Sequence, residues 1–424
     1  HFLNACSMKK LASLPFILVA LLFLMWGVAN NMNDTILAAF KRIMSMSDLQ
    51  TSLVQFAFYG AYFCFALPAA LFIRRYSYKS GILLGLAMYA IGTMLFYPAG
   101  NTGSYGFFLF AIYVMASGCS ILETTANPYI LAMGKRETAT RRLNIAQTFN
   151  PLGAILGIML SRHFILSELN EADASARSDM SVDALHAIQA QELNAISGTY
   201  LHIGCILMVL LITILCVRMP HMRDESAQQS IASTFRALWH NIPYRMGVVA
   251  QFFYVGVQTC VWSFTIRVVM AENGSRESDA AIVFLWSIIA FTVFRFIFTW
   301  LMRYVRPVKL LTIACISALI SVLAIIFGHG NVVVCSLVTT SASMSLMFPT
   351  IYGVALENIA PESSKIAASG LIMAILGGAV ITPLQAWMSD AIGISLSFII
   401  PLICFGIILI YSTYILKHTG IGIK

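Results

Sequence analysis

Two carboxylic acids stand where an otherwise apolar chain should carry no charge: Asp34 and Glu123, each inside a long run of apolar and small residues. An ionisable group at membrane depth costs about 3 kcal/mol even on the lower insertion scales, so its presence there marks function. A low-dielectric environment disfavours the ionised form of a carboxyl, and acids placed in one take up and release protons near neutral pH. The chemistry to expect is proton exchange. Asp34 closes a stripe of Gly27, Asn30 and Asn31 at helical spacing, a polar face that must meet protein or water. Glu123 shares a face with Asn127 in Cys119-Ser120-Ile121-Leu122-Glu123-Thr124-Thr125-Ala126-Asn127-Pro128-Tyr129, where the proline frees a backbone carbonyl. Arg267 and Arg295 also fall inside apolar runs, with Arg162 and Glu357 at the ends of others. The two inner arginines fit as counter-ions, as groups reaching a water-filled cavity, or as partners in a structural ion pair, and the sequence leaves these open.

Amides and aromatics accompany the acids. Asn144, Gln147 and Asn150 recur every third residue before Pro151, and Gln251, Tyr254, Gln258 and Trp262 follow offsets of three, four and four. A carboxamide both donates and accepts, which suits sugar hydroxyls. A flat ring beside amides suits a sugar ring with apolar C–H faces and a polar rim. Gln55, Tyr59 and Tyr62 form a similar, weaker face. Each group also fits as interhelical glue or packing, a reading that serves the amides better than the acids.

The elements that position these residues follow from composition. Of 424 residues, 59% are hydrophobic and only 10% charged. A typical soluble domain is roughly 25% charged, so a soluble globular enzyme is excluded, as are disorder and a disulfide scaffold. At about 20 residues per helix the apolar content supplies about twelve membrane spans. Apolar runs place them near 15–39, 50–73, 80–98, 104–132, 143–165, 197–217, 246–270, 280–302, 308–327, 331–356, 366–388 and 394–416. With the N-terminus in the cytoplasm, 19 of the 26 Lys and Arg residues fall on the cytoplasmic side. The outer stretch 166–196 is a loop in this reading and carries Glu168, Glu171, Asp173, Asp179, Asp183 and Glu192. This positive-inside pattern places both termini in the cytoplasm, and the net charge of +8 then needs no nucleic-acid partner. Met8-Lys9-Lys10 opens the first span rather than a cleaved signal peptide. The cysteines lie mostly in apolar runs, where thiols pack as small hydrophobes, and no structural disulfide is expected.

The expected fold is an all-α membrane protein of twelve helices in two six-helix halves, 1–217 and 246–424, joined by a cytoplasmic linker at 218–245. A weak repeat supports the halves. Gly27-Val28 aligns with Gly256-Val257, Pro128 with Pro349, and Arg75-Tyr76 with Arg303-Tyr304. Two such halves around a midplane site make the major facilitator architecture. In that alignment Ser263 stands opposite Asp34 and Met344 opposite Glu123, so the protonatable acids belong to the first half.

Ala29-Asn30-Asn31-Met32-Asn33-Asp34, Leu122 to Pro128, and Leu143-Asn144-Ile145-Ala146-Gln147-Thr148-Phe149-Asn150 closely resemble the bacterial fucose:proton symporter family. Tyr254-Val255-Gly256-Val257-Gln258 with Trp262-Ser263 extends the resemblance into the second half. The resemblance implies L-fucose uptake with a proton, Asp34 serving proton coupling and Glu123 both coupling and sugar binding. It further implies that Asn31, Gln147 and Asn150 line the sugar site, to which Gln258 and Trp262 add a face. Phe348 departs from the pattern, standing where that family has a tyrosine. The implied protein is a monomer in the inner membrane, with a monosaccharide, protons and the bilayer as partners, the proton as coupling ion and no other cofactor. The alternatives are a glucose, galactose or amino-sugar symporter, a proton-driven drug exporter, and a sugar sensor that does not transport. A membrane enzyme is disfavoured, because no phosphate-cradling loop or metal-ligand histidine spacing appears.

Overall fold

The computed structural model describes residues 14–43, 48–165, 168, 180–219, 230–274, 277–357 and 359–418. Among the described residues every regular element is a helix. Hydrocarbon offers backbone N–H and C=O groups no partner, so a chain this apolar closes its hydrogen bonds within each segment. Eleven helices are long and apolar enough to cross a membrane, and helix Leu14–Ile43, apolar over Leu14–Ala29, precedes them as span one. Spans two to six are Leu53–Arg75, Tyr78–Thr102, Tyr105–Ala132, Arg136–Ser161 and Asp183–Cys216. Spans seven to twelve are Ile242–Asn273, Asp279–Leu301, Pro307–Phe327, Asn331–Glu357, Ser364–Ile392 and Leu396–His418.

The described residues cluster into two compact units. One takes its members from His1–Ala126 and Phe149–His221, the other from Asn127–Thr148 and Met222–Lys424. The chain thus enters the second unit near the end of span four and leaves it in the middle of span five.

In the first unit, span one and the outgoing half of span five meet backbone to backbone. A methyl group on Gly27 would run into the carbonyl of Asn150, and one on Gly153 into that of Leu24. Small residues permit this approach, which apolar burial between lipid-embedded helices cannot drive. Span three is capped by Ser77, whose Oγ accepts from Ser80 N at 3.1 Å. Lys79 Nζ donates to the carbonyls of Leu215 and Val217 at 2.8 and 2.9 Å, serving the C-terminal end of span six.

In the second unit, Asn241 caps span seven by accepting from Tyr244 N at 2.9 Å, and Gly377 of span eleven lies against the Phe252 carbonyl. Segment 127–148 packs on helix Met347–Glu357. Asn144 Nδ2 approaches Thr350 Oγ1 at 3.4 Å, and Arg136 Nη2 donates to Ile359 O at 2.8 Å. Arg142 donates to the carbonyls of Ile130 and Leu131 at 2.8 and 2.6 Å, in the last turn of span four, where intrahelical donors run out.

Three local differences from the sequence reading stand out. The outer stretch 166–196 is not loop throughout, because helix Val182–Cys216 runs 35 residues. At 1.5 Å per residue it is about 52 Å long and overshoots a hydrocarbon core of about 30 Å. Leu185, Ile188, Leu193 and Ile196 keep helical spacing through the polar part, and Glu192 is only 1% exposed. The 218–245 stretch contains helix Ile231–His240, with Thr234 and Leu238 buried and Ile231, Phe235 and Trp239 exposed. Spans five and ten are each broken near their middle, at Thr148 and at Ser345–Leu346, where helices Ala139–Gln147 and Asn331–Met344 end. Acidic residues of 169–179, linker residues 220–229 and the side chain of Arg162 lie outside the described residues.

Candidate functional site

The first unit holds Asn31, Glu123 and Asn150. Glu123 is 1% exposed in the middle of span four, with Thr124, Thr125 and Asn127 fully buried around it. Tyr62 of span two and Cys119, one turn earlier, both lie near it. Ser120 Oγ donates to the Tyr62 carbonyl at 3.1 Å, which holds spans two and four in register beside the acid. Trp26 of span one stacks on Tyr62 with ring centroids 6.5 Å apart and planes 21° apart, and Phe58 tilts against Tyr62 at 5.4 Å. Tyr62, near the acid, is thus part of an aromatic cluster built from spans one and two.

Asn31 Nδ2 donates to Gly27 O at 3.3 Å, and Asn31 Cβ faces Gly157 of span five. Asn150 is half-buried, its carbonyl pressed onto Gly27 by the glycine seam. That seam sets the distance between Asn31 on span one and Asn150 on span five. Asn30 and Asp34 fall within helix Leu14–Ile43, and their side chains lie outside the described residues.

The second unit holds Gln147, Gln258 and Trp262. Gln147 is 3% exposed and its Nε2 donates to Oδ1 of the fully buried Asn127 at 2.9 Å. Asn127, one turn after Glu123 in the same helix, thus has its carboxamide oxygen engaged by Gln147. Of the three amides spaced every third residue, Asn144 and Gln147 belong to helix Ala139–Gln147 and Asn150 to helix Phe149–Phe164, which follows the break at Thr148. Gln258 and Trp262 are half-buried. Trp262 Nε1 donates to Ser341 Oγ at 3.0 Å, Ser341 Oγ donates to Ser287 O at 2.9 Å, and Phe291 meets the indole edge-on at 5.1 Å. This fixes the indole plane through spans eight and ten.

Tyr254 is fully buried and donates to the Met344 carbonyl at 3.0 Å. Its ring lies 6.2 Å from Phe348, which stacks on Tyr352 at 6.4 Å. Phe348 is thus the apolar middle of a row with a phenol at each end. Gln251 is fully buried, and among the described residues neither end of its amide has a partner. The two inner arginines part company. Arg267 is exposed, its guanidinium over Phe264 at 5.3 Å, whereas Arg295 is 3% exposed and donates to main-chain carbonyls.

Three residues of these arrangements escaped the sequence reading. Trp26 lies one and two turns before Asn30 and Asp34 on the same stripe, a spacing that could have marked it. Ser341 lies in the hydroxyl-rich run Thr339-Thr340-Ser341-Ala342-Ser343 of span ten. Arg142 is read from its charge as a cytoplasmic loop residue, but it is buried against the end of span four.

Comparison with known proteins gives these groups a context. Residues 16–375 match the model of the Major Facilitator Superfamily. The L-fucose-proton symporter of Haemophilus influenzae is 41% identical, over 97% of this chain and 98% of its own. The glucose/galactose transporter of Brucella abortus is 34% identical, over 93% and 92%. A crystal structure of the transporter FucP in the outward conformation superposes with a TM-score of 0.88 at 33% identity, covering 95% of this chain and 98% of that one. The chain is a multi-pass membrane protein and belongs to the Major Facilitator Superfamily, in the family that includes the L-fucose-proton symporters.

Proposed function

We propose that this protein imports L-fucose, or a closely related monosaccharide, together with a proton. The observation that carries the reading is Glu123: a carboxyl 1% exposed in the middle of span four, near Tyr62. A buried acid beside hydroxyl and aromatic groups can exchange a proton and also accept hydrogen bonds from a sugar. The 41% identical L-fucose-proton symporter of Haemophilus influenzae supports the same substrate and coupling ion.

The mechanism is alternating access between two six-span halves, 1–217 and 246–424, joined by the linker at 218–245. Protonation of Asp34 removes a charge that disfavours closure, while sugar hydroxyls engage Glu123, Asn31, Asn150, Gln147, Gln258 and Trp262. A ligand shifts a conformational equilibrium only by its differential affinity for the two states, so these residues must grip the sugar unequally in them. The protein lies in the inner membrane as a monomer with both termini cytoplasmic, an orientation supported by the basic loops. The proton is the coupling ion, and no resident cofactor is invoked.

The test is uptake of labelled L-fucose into proteoliposomes under an imposed inward proton gradient. Wild type accumulates sugar only with the gradient, and Asp34→Asn loses accumulation while keeping sugar exchange. Full accumulation by Asp34→Asn would remove its coupling role. A second reading, glucose or galactose import, has two observations in its favour: the 34% identical Brucella abortus transporter and the apolar Phe348. Gradient-driven uptake of those sugars without fucose uptake would establish it.

A further inference from the structure

Spans five and ten break one turn before a proline. Proline has no N–H, so Pro151 leaves the carbonyl of residue 147 without its i→i−4 donor, and Pro349 does the same to residue 345. In hydrocarbon such a carbonyl needs a substitute donor. One side chain supplies both. Arg295 of span eight donates from Nη1 to Gln147 O at 3.0 Å and from Nε to Ser345 O at 2.6 Å. Its guanidinium lies over Phe291 at 4.9 Å, and Phe291 is the ring that meets Trp262 edge-on.

We propose that Arg295 is a positioning residue for transport: by capping the two carbonyls that Pro151 and Pro349 set free, it holds Gln147 and, through Phe291, Trp262 in their sugar-binding places. The chemistry fits a guanidinium. It presents several donors in a rigid fork, so one side chain can serve two acceptors, and it remains charged in surroundings where an ammonium loses its proton more readily. A lysine carries its donors on a single nitrogen at the end of a flexible stem and cannot reproduce the fork. The same bonds fasten segment 127–148, continuous in sequence with the first unit at both ends, onto spans eight and ten of the second. Arg295 therefore acts on main chain and aromatic packing, not as the counter-ion of a transported proton. The role at the sugar site rests on the function proposed above, whereas the capping itself does not.

The test uses the full-length protein in proteoliposomes and in detergent. Arg295→Met removes the donors while keeping much of the volume, and Arg295→Lys keeps the charge without the fork. Pro151→Ala and Pro349→Ala restore the backbone N–H groups, letting each helix satisfy its own carbonyl. The expected result is that Arg295→Met raises the L-fucose KM about tenfold with Vmax changed less, the size of losing one charged hydrogen bond. Arg295→Lys should resemble Arg295→Met. Adding both proline substitutions to Arg295→Met should recover most of the KM and of the melting temperature, read with a thiol-reactive dye on the buried cysteines. Recovery by lysine with none from the prolines would overturn the proposal, since Arg295 would then act as a charge. Equal loss in KM and Vmax with no recovery would also overturn it. The melting measurement needs no sugar, so if wild type takes up no fucose, proline recovery of Arg295→Met stability still decides the capping while the transport reading fails separately.

Discussion

Replacing Gly27 by alanine tests whether the glycine seam sets the geometry of the sugar site. The added Cβ would strike the Asn150 carbonyl oxygen and lie 2.9 Å from that carbonyl's carbon and 3.0 Å from Ala154 N. Ordinary contact begins near 3.4 Å, so spans one and five must part by at least about half an ångström, and by more at the oxygen. The obstacle is backbone on both sides, so no side chain can rotate away. Overpacking of this kind costs about 1–3 kcal/mol in stability, and a displacement approaching 1 Å at a binding group can cost about a hundredfold in function. Gly27→Ala should lower Vmax/KM for L-fucose at least tenfold and melt earlier than wild type. Gly60, Gly198 and Gly406 provide the controls, because a Cβ at each would meet nothing within 4 Å. Alanine there should leave uptake within twofold and stability unchanged or slightly raised, as alanine is the better helix former. If Gly27→Ala melts and transports like Gly60→Ala, the seam is not what spaces Asn31 from Asn150, and the reasoning fails.

Glu123→Gln keeps shape and hydrogen bonding but cannot ionise; gradient-driven accumulation of labelled sugar should fall to background while the protein still elutes as wild type does, and retained accumulation would move the coupling acid elsewhere. Trp262→Phe loses the bond to Ser341 and should raise sugar KM about fivefold, the fold-change of roughly 1 kcal/mol, with Vmax within twofold; an unchanged KM would take the indole out of the site. Phe348→Tyr adds a hydroxyl to the row between Tyr254 and Tyr352 and should shift a competition panel toward L-fucose over glucose and galactose; an unaltered ranking would show that Phe348 does not set preference.

The reach of the sequence differs between the span pattern and the contacts that complete the site. Apolar runs are long because lipid makes a charge inside them costly, and apart from the early start of span six and of span five the helices fall within a few residues of where those runs place them. The candidate acids and amides are legible for the same reason: a polar residue in a span stands out against its neighbours. Partners separated by many residues are not legible. Nothing local links Trp26 to Tyr62, or Asn127 to Gln147, since each pairing depends on how separate helices meet. Helix Val182–Cys216 was hidden by its acids, which signal water but do not distinguish loop from wet helix. Arg295 shows the boundary most clearly. Its position inside a span announces a role, and Pro151 and Pro349 announce two orphaned carbonyls, yet the sequence does not say that one answers the other. Charge reasoning looks first for an acid to pair with a buried arginine, because a full opposite charge is the strongest partner. Two prolines in separate spans supply a different partner, a pair of carbonyls that only a forked donor can reach together, and the fold alone brings the carbonyls of Gln147 and Ser345 to Arg295.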